Sequence, residues 1–495
     1  MAGLKSLAKE TFIYGASSIV GRFLNYLLVP LYTLKLQADT GGYGIITNLY
    51  AYTALLMVIL TYGMETGYFR FANRKDADPD TVYGTTLTSV GGTALLFVLL
   101  VALFLNPICT GLGYGAHPEF VMIMAVIVAM DAFQSIPFAR LRQQKRALRF
   151  VAIKFLFIVP NILLNLFFFV GCPWLMAHAP GAVDWFYDPA YGAGYAFVAN
   201  LICTLLQMVA LLPQLRGFRY RFDRPLLRRM LRYSLPLLVL GVAGILNQTV
   251  DKILFPFLYP EAQGAQVQLG IYGAASKVAM ILAMLTQAFR YAYEPFVFAG
   301  SKEGDNRMMY ARAMKFFVIF GLLAFLCVMF YLDLLKYIIA PDYWEGLRVV
   351  PIVMAAELLM GVYFNLSFWY KLIDQTQWGA YFSVTGCLLV IVLNVLFVPV
   401  YGYMACAWAG FFGYATVTLL SYFVGQRKYP IAYDLRAVGK YLFLAVALYV
   451  AAEYLPFEEL WLALVYKTVL LFIYAFYVYR NEFCRPAAVQ KTEGK

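Results

Sequence analysis

Charge is the scarce ingredient of this sequence. Only 13% of its 495 residues are Asp, Glu, Lys or Arg, about half the ~25% usual in a soluble globular chain. No soluble domain of about 50 residues or more fits between its apolar stretches. Histidine is nearly absent. The two present, His117 and His178, both read as outer-loop residues, which leaves no imidazole for a buried acid–base or metal centre. Seven cysteines show neither a CxxC pair nor a metal-ligand spacing, which argues against zinc and dithiol redox chemistry. Most read as small hydrophobes within helices. Cys109 and Cys172 fall near outer loops, where a disulfide between them is conceivable. No glycine-rich phosphate loop follows a strand, so an ATP-driven pump would need a separate subunit. No carboxylate-rich extramembrane domain suggests glycosyl transfer. The expectation is no enzyme, no cofactor and no metal.

What is present is apolar length. The chain is 62% hydrophobic, and a bilayer core needs about 20 apolar residues of helix. Fourteen such segments are predicted, at about 11–35, 43–67, 83–105, 118–138, 151–171, 191–213, 233–256, 268–290, 314–333, 346–370, 378–398, 402–424, 437–454 and 459–479. Most of the 39 Lys and Arg residues lie in every second loop, while the opposite loops hold only Lys35, Lys336 and Arg348. By the positive-inside rule both termini are expected in the cytoplasm. The net charge of +12 then reflects loops facing anionic lipid, and nucleic acid is not an expected partner. No cleavable signal peptide is read, because Ser17, Ser18 and Arg22 interrupt a first segment that is too long for one.

A faint repeat runs through these segments. Arg140-Leu141-Arg142-Gln143-Gln144 precedes Asn165, and Lys371-Leu372-Ile373-Asp374-Gln375 precedes Asn394. Tyr14 opens segment 1 and Tyr43-Gly44 opens segment 2. Tyr233 opens segment 7 and Tyr272-Gly273 opens segment 8. An offset of six helices gives two halves of one orientation, related by an axis along the membrane normal. The expected fold class is therefore all-α: a polytopic membrane protein of about 14 transmembrane helices. Residues 1–213 form an N-lobe of six helices, 214–424 a C-lobe of six, and 425–495 two further helices with a tail.

Ionisable residues inside a span cost about 2.5–3.5 kcal/mol on insertion scales and usually face a cavity. Arg22 is the sharpest case: eleven residues past Thr11, it lies about 16 Å deep at 1.5 Å per residue. No acid lies within a helical turn of it. Lys252 and Lys277 are further deep cations, and Asn25 and Asn247 add neutral donors. A cavity lined in this way suits an anion, and guanidinium suits phosphate oxygens. Asp131, Asp251 and Glu357 are the acids at depth and the candidates for ion coupling. A structural reading stands beside each. Asp251 can pair with Lys252 or Lys277, the two lysines can snorkel outward, and Asp131 can balance the basic loop after it. Glu65 with Arg70, and Arg290 with Glu294, read as local pairs.

At this point a family is visible. Gly21-Arg22 leads to Pro30-Leu31-Tyr32 and then Tyr43-Gly44. Tyr62-Gly63-Met64-Glu65 leads to Phe69-Arg70-Phe71. Tyr233-Ser234-Leu235-Pro236 leads to Asp251-Lys252. Gly270-Ile271-Tyr272 leads to Lys277 and Glu294-Pro295-Phe296. Leu393-Asn394 is followed by Pro399 and Gly402. In this order the chain resembles, over about residues 5–480, the Wzx-type oligosaccharide-lipid flippases of the multidrug/oligosaccharidyl-lipid/polysaccharide exporter superfamily. It departs at Met404-Ala405-Cys406, where small residues are the family habit. The resemblance implies alternating access by two six-helix bundles around a cationic cavity. It implies a substrate of polyprenyl (undecaprenyl) pyrophosphate carrying an oligosaccharide repeat unit, moved to the outer leaflet for O-antigen, capsule or exopolysaccharide synthesis. A pyrophosphate-contacting role carries over to Arg22 first, then to Lys252 and Lys277. It further implies residence in a bacterial cytoplasmic membrane, contact with membrane lipids, and a polysaccharide polymerase and chain-length machinery as partners. By analogy with the lipid II flippase of that superfamily, helices 13–14 form a groove for the polyprenyl tail. The alternative within the superfamily is a cation-coupled multidrug antiporter, which would want deep carboxylates and few deep cations.

Overall fold

A computed structural model describes residues 20, 21, 23, 24, 26–74, 77–260, 264–300, 307–454 and 459–484, with only the backbone of 291, 292 and 294–300. The described residues are helical and turn-forming, with no strand among them. Of the first apolar segment, α1 (Leu28–Lys35) is described as an uninterrupted helix. Arg22 and Asn25 lie outside the described residues.

Thirteen further helices are long and apolar enough to cross a bilayer, and the protein is a multi-pass membrane protein. They are α2 (Gly42–Ala72), α3 (Pro79–Leu103), α4 (Pro118–Gln143), α5 (Ala147–His178), α6 (Gly194–Leu215), α7 (Arg224–Leu258), α8 (Ala265–Arg290), α9 (Arg307–Phe330), α10 (Pro341–Leu372), α11 (Gln377–Tyr401), α12 (Tyr403–Lys428), α13 (Leu435–Tyr454) and α14 (Leu460–Phe483).

Local chemistry sets their ends. Asp78 caps α3 by accepting from the Asp80 N–H at 3.2 Å, with Pro79 in the first helical position. Asp223 caps α7 by accepting from the Leu226 N–H at 3.0 Å. Each cap satisfies a backbone donor that the helix itself cannot. The cap at Asp223 lets α7 begin at Arg224, nine residues before the expected start at 233, so part of the basic 214–232 loop is helix. Inside α2, Tyr62 and Gly63 take left-handed φ values of 32° and 72° and break the helix in two. The outward faces stay apolar. On α3, Leu95, Leu96, Leu99, Leu100 and Leu103 are all exposed, one stripe at helical spacing that suits acyl chains.

Two compact units emerge. One comprises 1–274 with 383–409, the other 275–382 with 410–495. The first has its core where α2, α3, α4 and α7 meet, around Met64, Tyr68, Tyr83, Ile136 and Met230. Here α2 and the start of α8 cross at glycines. A Cβ on Gly44 would lie 1.8 Å from the Gln266 carbonyl oxygen, which only glycine tolerates. The second unit packs α9 against α13 and α14 through Ile319, Leu326, Leu448, Leu470 and Tyr474. Cys109 and Cys172 are both free thiols, so the conceivable disulfide is not formed.

One corner of the chain recurs in backbone terms, in a register two residues from the flanking Leu-x-x-Gln strings (Leu141 to Gln144 and Leu372 to Gln375). A shift of 229 residues maps Lys145 on Asp374, both left-handed at φ 56° and 55°. It maps Arg146 on Gln375, whose N–H groups reach back to Leu141 and Tyr370 at 2.9 and 2.8 Å. It maps Asn165 on Asn394, both wholly buried, each donating to the carbonyl four residues earlier. The Leu-x-x-Gln strings are 231 apart because they align side chains rather than the turn that ends each helix, whereas Tyr43-Gly44 and Tyr272-Gly273 are already 229 apart.

Candidate functional site

Among the described residues the charges at depth fall into separate groups. On α7, Lys252 Nζ lies 3.1 and 3.3 Å from the two Asp251 oxygens, and it also donates to the Gln248 carbonyl at 3.2 Å. Tyr272, on α8, donates to Asp251 Oδ2 at 2.7 Å. The Lys252 carbonyl accepts from Asn48 Nδ2 at 2.7 Å, and Asn48 Oδ1 accepts from the Tyr114 hydroxyl at 2.7 Å. Asp251 is only 8% exposed. An isolated carboxylate there would carry a large desolvation cost, which the ammonium and hydroxyl offset. Asn247 spends its amide on the Ala243 and Ser383 carbonyls, at 3.0 and 2.9 Å, tying α7 to α11.

A second group lies between α2, α4 and α5. Glu65 accepts an ion pair from Arg142. The local partner expected for it, Arg70, instead stacks over Tyr233 at 4.1 Å. Residues five apart do not share a helix face, which is why that pairing fails. Asp131 and Lys154 attract one another, and Lys154 also feels Glu65 and Arg142. Lys154 stands 4.2 Å over the Phe138 ring. Asp131 is twelve residues from the end of α4 and Lys154 seven from the start of α5, or about 18 and 10 Å along their helices.

Lys154 is the residue that sequence reasoning missed. Three residues into the expected segment 151–171, it reads as the last charge of the basic run Arg140–Arg149 rather than as a residue at depth. The start of α5 at Ala147 places the ammonium two turns inside the helix. The signal was available: Asp131 and Lys154 are the opposite charges flanking one inter-helix corner.

Elsewhere, Arg140 is 9% exposed and serves the fold. It donates to the Gln214 carbonyl at 2.9 Å, pairs with Asp80 at 3.2 Å and packs on Tyr83 and Phe218. In the other compact unit Lys277 and Glu357 are half-buried and engaged with neighbours. Arg290 and Lys371 both approach the Phe364 ring, at 4.5 and 4.8 Å. The side chain of Glu294, the expected partner of Arg290, lies outside the described residues.

Helices that leave apolar stripes outside and pair opposite charges at depth define a polytopic helical membrane protein with polar seams. The profile of the family described as "Polysaccharide biosynthesis protein" matches residues 7–292, and the chain belongs to that family. Among solved structures, the lipid II flippase MurJ in an inward closed conformation aligns with a TM-score of 0.73 at 14% identity, covering 95% of this chain and 99% of that one. An inward-facing multidrug resistance MATE transporter of the MOP superfamily aligns with a TM-score of 0.66 at 13% identity, covering 84% and 95%. The MATE multidrug transporter DinF-BH aligns with a TM-score of 0.60 at 15% identity, covering 86% and 96%. At such identities the likeness establishes a shared fold. No curated protein matches the sequence.

Proposed function

We propose that the protein is a flippase for polyprenyl pyrophosphate-linked oligosaccharide repeat units, carrying them from the cytoplasmic to the outer leaflet by alternating access. In this reading 1–213 and 214–424 are the moving lobes, and residues from 425 onward provide the α13–α14 pair. Both termini are cytoplasmic, because the basic loops mark that side, and the membrane is the bacterial inner membrane. The protein translocates without chemistry of its own, and it feeds a polysaccharide polymerase.

The observation that carries the reading is the extent of the likeness. The lipid II flippase fold accounts for 95% of the chain, whereas the two MATE folds account for 84% and 86%. The shortfall is comparable in length with α13–α14, the pair that a lipid-handling member needs for a polyprenyl tail. Arg22, Lys252 and Lys277 are the cations proposed for the pyrophosphate, and Asn25 and Asn247 the neutral polar groups. Lys252 would have to trade its Asp251 partner for phosphate oxygens. An inside-negative potential would assist outward movement of the anion by about 2.3 kcal/mol per charge per 100 mV. Asp131, Asp251 and Glu357 are the groups through which a proton or sodium gradient would act.

The test is Arg22→Ala in cells that depend on this protein for surface glycan. Folded protein in the membrane, with lipid-linked repeat units accumulating on the cytoplasmic leaflet, is the expected result. Normal surface polysaccharide would remove Arg22 from the mechanism. Export of cationic dyes that collapses in Asp131→Asn or Glu357→Gln, with glycan export intact, would favour the antiporter instead.

A further inference from the structure

The first compact unit carries a cavity of about 520 Å³ that the proposed translocation path does not use. It opens among the end of α2, the start of α3 and the linker into α7. Three arginines, Arg74, Arg221 and Arg229, line it. All three are exposed, and none has a carboxylate within ion-pair distance among the described residues.

The two acids in its wall act as helix caps, and Asp78 also feels the charge of Arg221. Asp78 accepts from the Asp80 N–H at 3.2 Å and the Thr81 hydroxyl at 2.6 Å, and Asp223 accepts from the Leu226 N–H at 3.0 Å. Arg74 also lies 5.2 Å over the Phe71 ring, and none of the three guanidinium groups spends a donor on a carboxylate at ion-pair distance among the described residues.

The backbone that presents them is held firmly. Gly84 lets the linker lie against α3, since a Cβ there would meet the Arg221 carbonyl oxygen at 2.9 Å. The Asp223 N–H donates to the Thr85 hydroxyl at 3.1 Å, and the Tyr83 hydroxyl donates to the Gln214 carbonyl at 3.1 Å. One side of the cavity is apolar, formed by Phe71, Leu226 and Phe222, and Phe222 is 48% exposed. Tyr220, two residues away, is 61% exposed. Exposed aromatics beside arginines on a linker between spans are the arrangement of a segment seated at a lipid–water interface.

We propose that Arg74, Arg221 and Arg229 form a binding site for the phosphate of an anionic phospholipid headgroup, with Phe222 against its glycerol and upper acyl region. The proposal rests on the reading that these basic ends face the cytoplasmic leaflet. Guanidinium forks match phosphate oxygens two at a time, and an anionic leaflet supplies the ligand at high local concentration. The site lies apart from the deep charges, so it serves retention or regulation rather than passage.

The test uses the full-length protein in phosphatidylcholine nanodiscs doped with dioleoylphosphatidylglycerol, with bound lipid counted by native mass spectrometry. Two variants lose equal charge: Arg74→Gln/Arg221→Gln/Arg229→Gln in the cavity, and Arg219→Gln/Arg224→Gln/Arg228→Gln on the same linker and helix but outside it. Retention about tenfold weaker in the first and within about twofold of wild type in the second is the expected result. Equal weakening in both overturns the site in favour of diffuse surface charge. Inorganic phosphate, added up to about 20 mM, separates the sources of the anion. Undiminished lipid binding supports the headgroup, and saturable binding of phosphate alone with displacement of the lipid overturns it. Arg229→Gln alone, on a residue with no partner to lose, keeps the test open if the triple variant does not fold. Glycan export in that variant distinguishes failure of this site from failure of the flippase reading.

Discussion

The corner between α4 and α5 and the corner between α10 and α11 share a backbone and differ in chemistry. Both end a helix on a left-handed residue, Lys145 and Asp374. Both send an N–H back to a carbonyl five residues earlier. Both place a buried asparagine one helix further on. Around the first corner lie Arg142, paired with Glu65, and Lys154, attracted to Asp131. The 229-residue shift keeps Lys371 in place of Arg142 and Glu294 in place of Glu65, but puts Met360 and Ser383 where Asp131 and Lys154 stand. Trp369 and Tyr370 replace Arg140 and Leu141, and an aromatic cluster with Trp378 and Phe382 fills the space. The turn is fixed by backbone hydrogen bonds, which leaves its side chains free to diverge. One half uses that freedom for charge and the other for rings.

The largest blow to this comparison should come from the crossing glycines. Gly44→Ala drives a methyl into the Gln266 backbone, whereas Gly273→Ala, its repeat mate, meets the side-chain hydroxyl of Thr47 at 2.4 Å. Backbone cannot yield and a side chain can. Gly44→Ala should therefore abolish accumulation of folded protein, while Gly273→Ala leaves most of it, as read by fluorescence-detected size exclusion.

Next come the corner residues themselves. Trp369→Ala empties a site that is 2% exposed and breaks the bond to Ser421, for a loss of about 3–5 kcal/mol. Lys154→Met removes the cation that attracts Asp131 and should lower stability by less than the loss at Trp369. Importing the second half's residues at both positions, Asp131→Met with Lys154→Ser, should recover most of that loss in a double-mutant cycle of thermal unfolding. Recovered stability with lost glycan export would assign the pair to transport. Recovery of both would make it purely structural.

The half-exposed Glu65–Arg142 bridge is worth less. Glu65→Gln should cost no more than about 1 kcal/mol. Smallest, and of opposite sign, are Lys145→Gly and Asp374→Gly. Each relieves a left-handed non-glycine residue and should leave stability unchanged or raise it by up to about 1 kcal/mol. Matching responses at the two sites would sharpen the repeat, and opposite signs would break it.

Much of the fold was legible beforehand because lipid imposes one rule: about twenty apolar residues, then a polar turn. The thirteen described spans follow the expected order. The ends were less legible, because a charge near a helix end reads as loop whether or not a partner offsets it. Arg224–Arg232 is helical, and Lys154 lies two turns into its span rather than at its edge, for that reason. Partners were the least legible. Glu65 has Arg70 nearby in sequence but meets Arg142 from another helix, a contact that only tertiary packing decides. The Asp251–Lys252 neighbours could be read as a pair from adjacency. Tyr272, which completes that site, gives no such sign.

The α13–α14 pair is tied down at two points along α14. Lys467 reaches Asp333 at 2.9 Å, and Lys315 reaches Glu482 at 2.6 Å, where Tyr441 also donates at 2.9 Å. Burial pushes the Asp333 carboxyl up, but the Lys467 hydrogen bond and Lys336 outweigh it and hold the group below the usual carboxylate range. Its stabilising contribution is therefore present above about pH 4 and fades as pH falls through the lowered folded value. The thermal gap between wild type and Asp333→Asn should be constant at neutral pH and close toward about pH 3.

Two residues beyond Glu482 lies Cys484, the exposed thiol among the seven cysteines. Because α14 is bolted to α9 through Lys315 and Glu482, a dye placed on that native thiol would travel with α9. The chain thus brings its own attachment point for watching one of its spans move during turnover, with no engineered cysteine and no loss of the six others.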